Sequence, residues 1–461
     1  MINYSRIRKI HFVGIGGAGM SGIAEVLNNM GFEISGSDIH ESSTVKRLRR
    51  AGIKIFIGHK RENIDGVETL VYSSAITGEN IEYKTASKMK IPVIPRAEML
   101  AELMRVKFSI AVAGTHGKTS TTSMIASILN EAKKDPTYVV GGKLKTEESG
   151  AKLGNSEFLV AEADESDGSF LKLFSTISVI TNIEGDHLDY YGDFESLLEA
   201  FKSFGNKVPF YGAVIINSDC PNSRKIIRNI NKKVITFGTS EEADIRAENI
   251  MLGTFLSSFD LIINGIKKGR INLNIGGHHN ILNSLAAIAA TVESGINIED
   301  IRSGLIKFSL PDRRFQVLYR NERIFVVDDY AHHPTEIKVS LDTLKHGKFK
   351  RVVTIFQPHR FTRLQNLMED FAESFESSDI TILAKVYSAN QKEIVGVNSG
   401  TLAQMIKDKN SGTVHYLDNV ADILSFLKAE IGDGDAVIFF SAGDLTRCAH
   451  DFARIMEMDN K

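Results

Sequence analysis

Short runs of β-branched and other apolar residues recur along the chain, and most of them end in glycine or an acidic residue before a helical pattern begins. This alternation is typical of parallel sheets whose strands are connected by helices. The predicted strands are residues 10–16, 108–114, 158–164, 177–183, 212–219, 323–329, 351–357, 379–388 and 435–444. The pattern therefore predicts an α/β protein.

The length of the chain predicts more than one domain. A chain of 461 residues is too long for a single core and suggests about three domains. The helical stretch RAEMLAELM ends before Phe108, which opens a new strand-loop-helix unit, and a helix-like segment ends near Leu310 and Pro311. We expect α/β domains at residues 1–106, 107–310 and 311–461.

The composition excludes several classes of partner. The formal net charge is -2, so we expect no broad basic surface and neither a nucleic-acid nor a membrane partner. The sequence has no apolar run of about 18 residues, and glycine interrupts the apolar run near its start, so we expect a soluble cytoplasmic protein without a cleaved leader. Cys220 and Cys448 are far apart in sequence and are expected to be buried, reduced thiols.

A glycine-rich loop follows the first predicted strand and opens a helix. The stretch GIGGAGMSGIAEVL fits the pattern G-x-G-x-x-G with Gly14, Gly16 and Gly19, and Gly17 lies within it. Asp38 stands where an acid that binds ribose is expected. Glycines let the backbone approach a pyrophosphate, so the loop predicts a diphosphate nucleotide. A nicotinamide dinucleotide, a UDP-sugar and a turn that binds nothing remain open.

A second glycine loop, GTHGKTSTT, follows the strand that begins at Phe108. Val112 replaces the first glycine of the usual phosphate loop. Four residues of that loop remain: Gly114, Gly117, Lys118 and Thr119. The pattern predicts that Lys118 contacts the terminal phosphates of ATP and that the Thr119 hydroxyl binds Mg²⁺. For His116, a surface position and a role beside the substrate are both open.

Acidic residues follow the next two predicted strands. Glu162 is the first acid of FLVAEADESDGSF and is the best candidate for a Mg²⁺ ligand. The acids after it, Asp164, Glu165 and Asp167, fit a solvated loop equally well. His187 lies in NIEGDHLDYYGDF, and an isolated histidine in such a loop is more often structural, because nitrogen is a poor ligand for Mg²⁺.

Taken together, these motifs resemble the Mur ligase family, the ATP-dependent enzymes that form amide bonds in peptidoglycan precursors. The matching stretches are HFVGIGGAGMSGIAEVL, SSAI, IPRAEML, GTHGKTSTT, EADESDGSFL, TNIEGDHLDYYGDFE, HHNILNSLAAIAA, RRFQ, DDYAHHPTEI and FQPHRFTR. The resemblance implies a Rossmann-like N-terminal domain for a UDP-sugar, a central phosphate-loop domain for ATP, and a Rossmann-like C-terminal domain for an amino acid. It implies that L-alanine is joined to the carboxylate of UDP-N-acetylmuramate through an acyl phosphate.

The resemblance assigns the two glycine loops to different nucleotides. The first loop is implied to hold the UDP-sugar pyrophosphate with Ser73, Ser74 and Arg96, and Asp38 to face the uridine. The residues implied to bind ATP are Gly114, Thr115, Gly117, Lys118, Thr119, Ser120, Asn280, Asn283 and Arg314. A helix N-cap and a buried amide are the structural alternatives for the two asparagines.

The metal and substrate roles follow from the same resemblance. Thr119, Glu162 and His187 are implied to bind Mg²⁺, and His116 to lie near the muramyl carboxylate. The C-terminal residues implied to bind L-alanine or the transferring phosphate are Asp329, Tyr330, His332, His333, Arg360 and Arg363. The residues implied to act in catalysis are Lys118, His116, Arg314, His332, Arg360 and Arg363. Taken singly, each of these arginines would more often be a surface ion-pair partner than a residue that binds a ligand.

Two features depart from the family pattern, and some alternatives stay open. Ser441 stands at the first glycine position of a G-A-G-D motif, and YSANQKEIVG lacks the usual glycine-glutamate pair. We assign neither a carbamylated lysine nor the general base for the amine. A ligase that attaches a recycled tripeptide to the same UDP-sugar, a nicotinamide-dependent oxidoreductase and a phosphate-loop binding module or motor are the alternative functions. The protein is expected to be a monomer or a homodimer.

Overall fold

The computed structural model describes residues 7–73, 75–141, 150–409 and 412–459, so Ser74 lies outside the described residues. Within these ranges the strands form three sheets of five, ten and six strands. Two compact units divide the chain: Met1–Ile250 with Phe259–Asn272 and Asn280–Ser309, and Met251–Ser258 with Leu273–His279 and Leu310–Lys461. The predicted α/β class is confirmed, and the domain boundaries expected at residues 106 and 310 stay predictions.

The first sheet is parallel, and helices connect its strands. Its elements are β1 (Lys9–Val13), α1 (Ala18–Asn29), β2 (Glu33–Asp38), α2 (Ser43–Arg50), β3 (Lys54–Ile57), a 3-10 helix (Arg61–Ile64), β4 (Thr69–Tyr72), α3 (Ile81–Lys88), β5 (Val93–Pro95) and α4 (Arg96–Arg105). The strand order is β3-β2-β1-β4-β5. The order reverses beside β1, so the loop after β1 lies where open α/β sheets bind their ligands.

The second sheet carries the second glycine loop. Its first elements are β6 (Phe108–Ala113), α5 (Lys118–Glu131), β7 (Thr137–Val139), β8 (Ala151–Lys152), β9 (Phe158–Glu162), a 3-10 helix (Ser169–Lys172), β10 (Ile177–Ile180), α6 (Leu188–Tyr191) and α7 (Phe194–Asn206). The others are β11 (Ala213–Asn217), α8 (Pro221–Ile227), β12 (Lys233–Gly238), β13 (Ile245–Leu252), β14 (Ser257–Ile263), β15 (Ile266–Leu273), α9 (His278–Glu293) and α10 (Ile298–Lys307).

Strands β9, β6 and β10 are adjacent and parallel in this sheet. The strand order is β15-β14-β13-β12-β11-β10-β6-β9-β7-β8. All residues of β10 and β11 are buried, as expected for strands covered on both faces. Parallel pairing places the ends of β6, β9 and β10 at one edge of the sheet, and the second glycine loop, Glu162 and His187 lie at or directly after these ends.

The third sheet lies in the second unit. Its elements are β16 (Gln316–Arg320), β17 (Phe325–Asp329), α11 (Pro334–Lys345), β18 (Arg351–Gln357), α12 (Phe361–Asn366), α13 (Met368–Ala372), β19 (Ile380–Leu383), α14 (Ser399–Lys409), β20 (Thr413–Tyr416), α15 (Val420–Glu430), β21 (Asp435–Ser441) and α16 (Thr446–Asp459). The strand order is β16-β17-β21-β18-β19-β20. Alternate residues of β21 enter two separate cores, Ile438 and Phe440 on one face and Val437 and Phe439 on the other.

Each predicted apolar run contains a strand, but the sequence pattern missed the shorter and more exposed ones. Strand β3 has one buried residue, and β15 begins with three exposed residues. Such strands lack a continuous apolar run, so periodicity does not reveal them. The run at 379–388 was overlong, since β19 ends at Leu383.

Two expectations from composition can be compared with the structure. Cys448 is buried as expected, but Cys220 is only partly buried, and both are free thiols. Among the described residues, no helix combines the length and the apolar character needed to cross a bilayer.

A fully buried carboxylate joins several elements of the first sheet. Glu82 of α3 accepts hydrogen bonds from Ser37 Oγ at 2.5 Å, Asn63 Nδ2 at 2.5 Å and the backbone N–H of Lys60 at 3.3 Å. His59 Nδ1 lies 3.1 Å from Glu82 Oε2. The carboxylate thus ties α3 to the end of β2 and to the segment that follows β3.

This carboxylate also supports the first glycine loop. Burial alone would raise the pKa of Glu82, but hydrogen bonds from groups that include His11 and Ser37 hold that pKa at about 2. The Ser37 carbonyl accepts hydrogen bonds from the backbone N–H groups of Gly14 at 2.8 Å and Ile15 at 3.1 Å. Ionised Glu82 therefore stabilises the strand end on which the loop rests.

Replacing Glu82 by Gln should lower the free energy of unfolding at pH 7.5 by roughly 3 kcal/mol, the value of a pKa held near 2 instead of 4.5. Because the folded-state pKa is depressed, this stability is present above about pH 4.5 and is lost as the pH falls towards 2. Urea unfolding at pH 7.5 and pH 3 measures both values. Glu79→Gln, on an exposed side chain, is the control. An equal loss at both pH values would contradict the electrostatic explanation.

Candidate functional site

The first glycine loop is held by Asp38, the acid predicted to face uridine. The backbone N–H of Gly16 donates to Asp38 Oδ2 at 2.8 Å. Gly14 has a φ of +79°, and a Cβ on Gly16 would lie 2.8 Å from the same carboxylate oxygen. Gly17 caps the start of α1. The glycines therefore permit both the turn and the close approach of the acid, and Asp38 positions the loop itself.

Arg96 lies across this loop. A Cβ on Gly19 would lie 2.3 Å from Arg96 Nη1, and a Cβ on Gly14 would lie 3.3 Å from Ser73 Cβ. Arg96 Nη2 is 3.7 Å from Asp164 Oδ2 in the loop after β9. The structure thus brings together the described residues that were predicted to hold the UDP-sugar, and it adds an acidic partner for the arginine.

The second loop also needs its glycines for steric reasons. Gly114 has a φ of +134° and Gly117 a φ of +82°. A Cβ on Gly114 would lie 2.0 Å from Thr181 Oγ1, and a Cβ on Gly117 would lie 2.3 Å from Asn283 Oδ1. A side chain at either position would therefore both strain the backbone and displace a neighbour.

Lys118 turns back onto its own loop and onto an acid. Its Nζ donates to the carbonyls of Gly114 at 2.6 Å and Thr115 at 3.2 Å, and to Glu165 Oε1 at 2.7 Å. Burial alone would lower the pKa of Lys118, but the carboxylates of Glu165 and Glu162 raise it above its ordinary value. Lys118 therefore stays charged, with all three of its protons donated.

Glu165 is buried, so of the two alternatives left open for it the solvated loop is wrong. The residue is 2% exposed, and its Oε2 has no hydrogen-bond partner among the described residues. Burial raises the pKa of Glu165 to about 7, although the charge of Lys118 lowers it in part. Its carbonyl accepts a hydrogen bond from Tyr191 OH at 2.5 Å. Its place after a buried strand is visible in the sequence, but that place does not distinguish a buried acid from a solvated one.

Thr119 and Glu162 form the oxygen-rich part of the predicted metal site. Thr119 Oγ1 lies 3.1 Å and 3.2 Å from the two carboxylate oxygens of Glu162. Mg²⁺ prefers a small number of oxygen ligands of this kind, so these residues fit the ion. His187 has a φ of +58°, and its Nε2 lies 3.4 Å from Asp186 Oδ2. Its role at the metal stays a prediction.

The loop after β10 fixes the position of His116. The backbone N–H of His116 donates to Asn182 Oδ1 at 2.8 Å, and its carbonyl accepts from Thr181 Oγ1 at 2.6 Å and Asn182 Nδ2 at 3.0 Å. His116 Nε2 lies 3.4 Å from Glu184 Oε2. Asn182 was not among the predicted site residues, because an asparagine after a strand has no distinctive spacing.

The two predicted adenine-side asparagines contact each other. Asn283 Nδ2 donates to Asn280 Oδ1 at 3.4 Å, and Asn283 Oδ1 accepts from Thr121 Oγ1 at 3.3 Å. Both are buried, which agrees with the buried-amide alternative. Asn280 lies inside α9, so the N-cap alternative is wrong. Ser120 is buried in α5.

In the second unit, two arginines lie against Tyr330. The guanidinium carbons of Arg313 and Arg314 are 5.0 Å and 5.2 Å from the centre of the Tyr330 ring, within the range of a cation–π contact. Arg314 Nη1 also lies 3.9 Å from Glu336 Oε1. His332 Nδ1 is 2.9 Å from the Tyr330 carbonyl. Four residues of DDYAHHP and RRFQ therefore form one group: Arg313, Arg314, Tyr330 and His332.

His332 and His359 of the second unit are neutral at neutral pH. The rings of His332 and His359 lie 5.9 Å apart, and Arg363 Nη1 is 3.4 Å from His359 Nδ1. Burial lowers the pKa of His332 to about 4 and that of His359 to about 3. Arg360 is exposed, and its φ of +72° is unusual for a residue with a side chain.

Asp329 is buried beneath this group. Its carboxylate accepts hydrogen bonds from Ser340 Oγ at 2.7 Å and from the backbone N–H of Ala331 at 3.0 Å. Burial raises the pKa of Asp329 to about 6. These contacts give Asp329 a role in holding the turn after β17, and its contact with an amino acid stays a prediction.

The departure at Ser441 has a local explanation. Ser441 Oγ donates to Gln357 Oε1 at 3.0 Å and accepts from the backbone N–H of Gly443 at 3.0 Å. Ser441 is fully buried, and its φ lies outside the left-handed region. A serine therefore fits where a glycine was expected, because its hydroxyl closes the turn after β21.

Both glycine loops follow parallel strands, an arrangement typical of an α/β enzyme. Family models match three successive parts of the chain: the Mur ligase family catalytic domain over residues 9–108, the Mur ligase middle domain over 112–291 and the Mur ligase glutamate ligase domain over 313–443. The chain belongs to the Mur ligase family, and the three-domain architecture that the sequence motifs implied is confirmed.

Individual relatives match the chain over its length. It is 47% identical to the UDP-N-acetylmuramate--L-alanine ligase of Sulfurihydrogenibium sp. over 98% of both chains, and 48% identical to that of Geotalea uraniireducens over 96% of both. The crystal structure of the UDP-N-acetylmuramate-alanine ligase MurC of Thermotoga maritima is similar with a TM-score of 0.83 and 27% identity, over 98% of this chain and 99% of that one. A murein peptide ligase of Psychrobacter arcticus shares the fold, with a TM-score of 0.70 and 24% identity over 97% of this chain and 98% of that one.

Replacing Gly117 by Ala should weaken nucleotide binding at the second loop at least tenfold (about 1.4 kcal/mol), because the new Cβ would lie 2.3 Å from Asn283 Oδ1. Calorimetric titration with ADP measures the effect. Gly52→Ala is the matched control, since Gly52 has a similar φ of +87° with no atom near the added Cβ. Equal affinity in the two variants would show that the contact with Asn283 does not shape the loop.

Proposed function

We propose that the protein joins L-alanine to the carboxylate of UDP-N-acetylmuramate at the expense of ATP, the activity for which its full-length relatives are named. The observation that carries this proposal is the presence of two different phosphate loops in one compact unit, one crossed by Arg96 and the other containing Lys118. A nicotinamide-dependent oxidoreductase has no use for the Lys118 loop.

The tripeptide-attaching alternative is less well supported. The murein peptide ligase structure shares 24% identity with the chain, which supports a common fold only. The relatives that are 47% and 48% identical are named for L-alanine. We therefore place the activity on L-alanine, in the cytoplasmic assembly of peptidoglycan precursors, with ATP and Mg²⁺.

In the first step, a carboxylate oxygen of the sugar acid attacks the γ-phosphorus of ATP, and the bond to ADP breaks. Both reactants are anions, so the step depends on positive charge placed in advance. Lys118 supplies a charge that its carboxylate neighbours keep protonated in spite of its burial. Bound at Thr119 and Glu162, Mg²⁺ would neutralise phosphate charge. His116, held by Asn182 and beside Glu184, would face the muramyl carboxylate.

In the second step, the amine of L-alanine attacks the acyl carbon, phosphate leaves with the bonding electrons, and the nitrogen loses a proton. The second unit supplies groups suited to a small zwitterion. Arg363 would bind the amino-acid carboxylate or the transferring phosphate, and Arg314 stays assigned to ATP. The neutral imidazoles of His332 and His359 add no charge that would repel an ammonium group. Acyl phosphates react with water, so these groups act best in a site that excludes it.

The activity itself is tested with purified protein, ATP, Mg²⁺ and UDP-N-acetylmuramate. We expect phosphate release and a UDP-linked alanyl product with L-alanine, and much less product with the murein tripeptide. Mass spectrometry of the product, with glycine and L-serine as further amino acids, defines the specificity. Product formed only with the tripeptide would replace the proposed substrate, and no conjugate with any amino acid would refute the ligase activity.

Replacing Lys118 by Ala should lower turnover by roughly a thousandfold, because the charge that stabilises the transferring phosphoryl group is lost (about 4 kcal/mol). Binding of the UDP-sugar should stay within about twofold of wild type, since Lys118 belongs to the second loop. Steady-state rates and calorimetry give the two values. Lys202→Ala, on the surface of α7, is the control. Equal loss of turnover and UDP-sugar binding would contradict the assignment of the loops to separate nucleotides.

A further inference from the structure

Two adjacent carboxylates hold the two cations that are predicted to bind phosphate. Glu165 Oε1 lies 2.7 Å from Lys118 Nζ, the cation of the ATP loop. Asp164 Oδ2 lies 3.7 Å from Arg96 Nη2, the cation that crosses the UDP-sugar loop. Both pairs lie in the first compact unit, and one short loop supplies both acids. A nucleotide that enters either site therefore meets a cation that already has an anionic partner.

The loop that carries these acids is anchored through its backbone. The Asp164 carbonyl accepts hydrogen bonds from the backbone N–H of Phe170 at 3.1 Å and from Ser169 Oγ at 3.2 Å. The Glu165 carbonyl accepts from Tyr191 OH at 2.5 Å. The carboxylates are thus held near their cations by contacts that do not involve the cations. When a cation turns to a phosphate, its acid stays close to that phosphate.

The buried carboxylate of Glu165 depends on Lys118 as its cationic partner. The lysine donates all three protons, to two loop carbonyls and to Glu165 Oε1, so it must give up at least one of these bonds to reach a phosphate. Glu165 Oε2 is buried and has no hydrogen-bond partner among the described residues. If Lys118 turned away to a phosphate, the ionised Glu165 carboxylate would be left buried, without its cation and close to that phosphate, which is unfavourable.

We propose, on the basis of the proposed function, that Asp164 and Glu165 are resident anions that compete with phosphate for Arg96 and Lys118 and so set the affinity of each nucleotide site. Glu165 opposes nucleotide binding at the second loop, and Asp164 opposes UDP-sugar binding at the first. Because the Asp164 side chain is 42% exposed and its pair is longer, its effect is the smaller one.

The isosteric variants Asp164→Asn and Glu165→Gln test this role, and each is the matched control for the other. At about pH 8.5, where Glu165 is ionised, calorimetric titration with UDP reports on the first loop, and titration with ADP on the second. Glu165→Gln should bind ADP about tenfold more tightly than wild type does, and its affinity for UDP should stay within about twofold of the wild-type value. Asp164→Asn should bind UDP roughly threefold more tightly and should affect ADP less than Glu165→Gln does.

The outcomes separate this inference from the proposed function. Weaker binding at the variant's own site would show that the acid orients its cation, and would overturn the inference alone. An equal change at both sites would indicate a merely structural role and would also overturn it. Wild-type protein that binds neither UDP nor ADP would overturn the proposed function and the inference with it. If Glu165→Gln unfolds, Glu165→Ala, which leaves room for water beside Lys118, repeats the test.

Discussion

The buried charge of Lys118 is the constraint on which the catalytic half of the molecule depends. A cation out of water needs acceptors, and this one has two loop carbonyls and Glu165 at 2.6 to 3.2 Å. Those acceptors require the loop to curl back on itself, which in turn requires the glycines at positions 114 and 117. The acid comes from the loop after β9, so the neighbouring strands must also be in register. One charge therefore links loop shape, sheet order and the phosphate site.

The first sheet also combines a cation, a glycine turn and an acidic partner. There the cation is Arg96, the close-packed glycine is Gly19, and the acid is Asp164. Glu82 supports this loop from behind, through the Ser37 carbonyl. Each glycine loop is thus built from a glycine turn and a cation and is backed by a buried carboxylate, Glu82 at the first loop and Glu165 at the second. In the proposed reaction the first step brings together two anions, the sugar acid and ATP, and so needs positive charge in place before they arrive; the carboxylates keep that charge stable in the empty protein.

The second unit has a different electrostatic character. Burial keeps the imidazoles of His332 and His359 neutral, and the positive charge lies on arginines that contact Tyr330 or His359. In the proposed function such a group would suit a small zwitterion, because an arginine would bind its carboxylate and the neutral rings would not repel its ammonium group. Ser441 shows that a family motif tolerates change when the new side chain closes the same turn.

The sequence alone determined the α/β class, the two glycine loops and the family, because each depends on local patterns: apolar runs, glycine spacing and contiguous motifs. It did not reveal the short, half-exposed strands such as β3 and β15, which lack a continuous apolar run. Only the tertiary structure decided that Glu165 is buried against Lys118 and that Asp164 pairs with Arg96. Adjacent acids after a strand have the same sequence pattern whether they face water or a cation, and the partner that decides between these states lies more than 40 residues away in the chain.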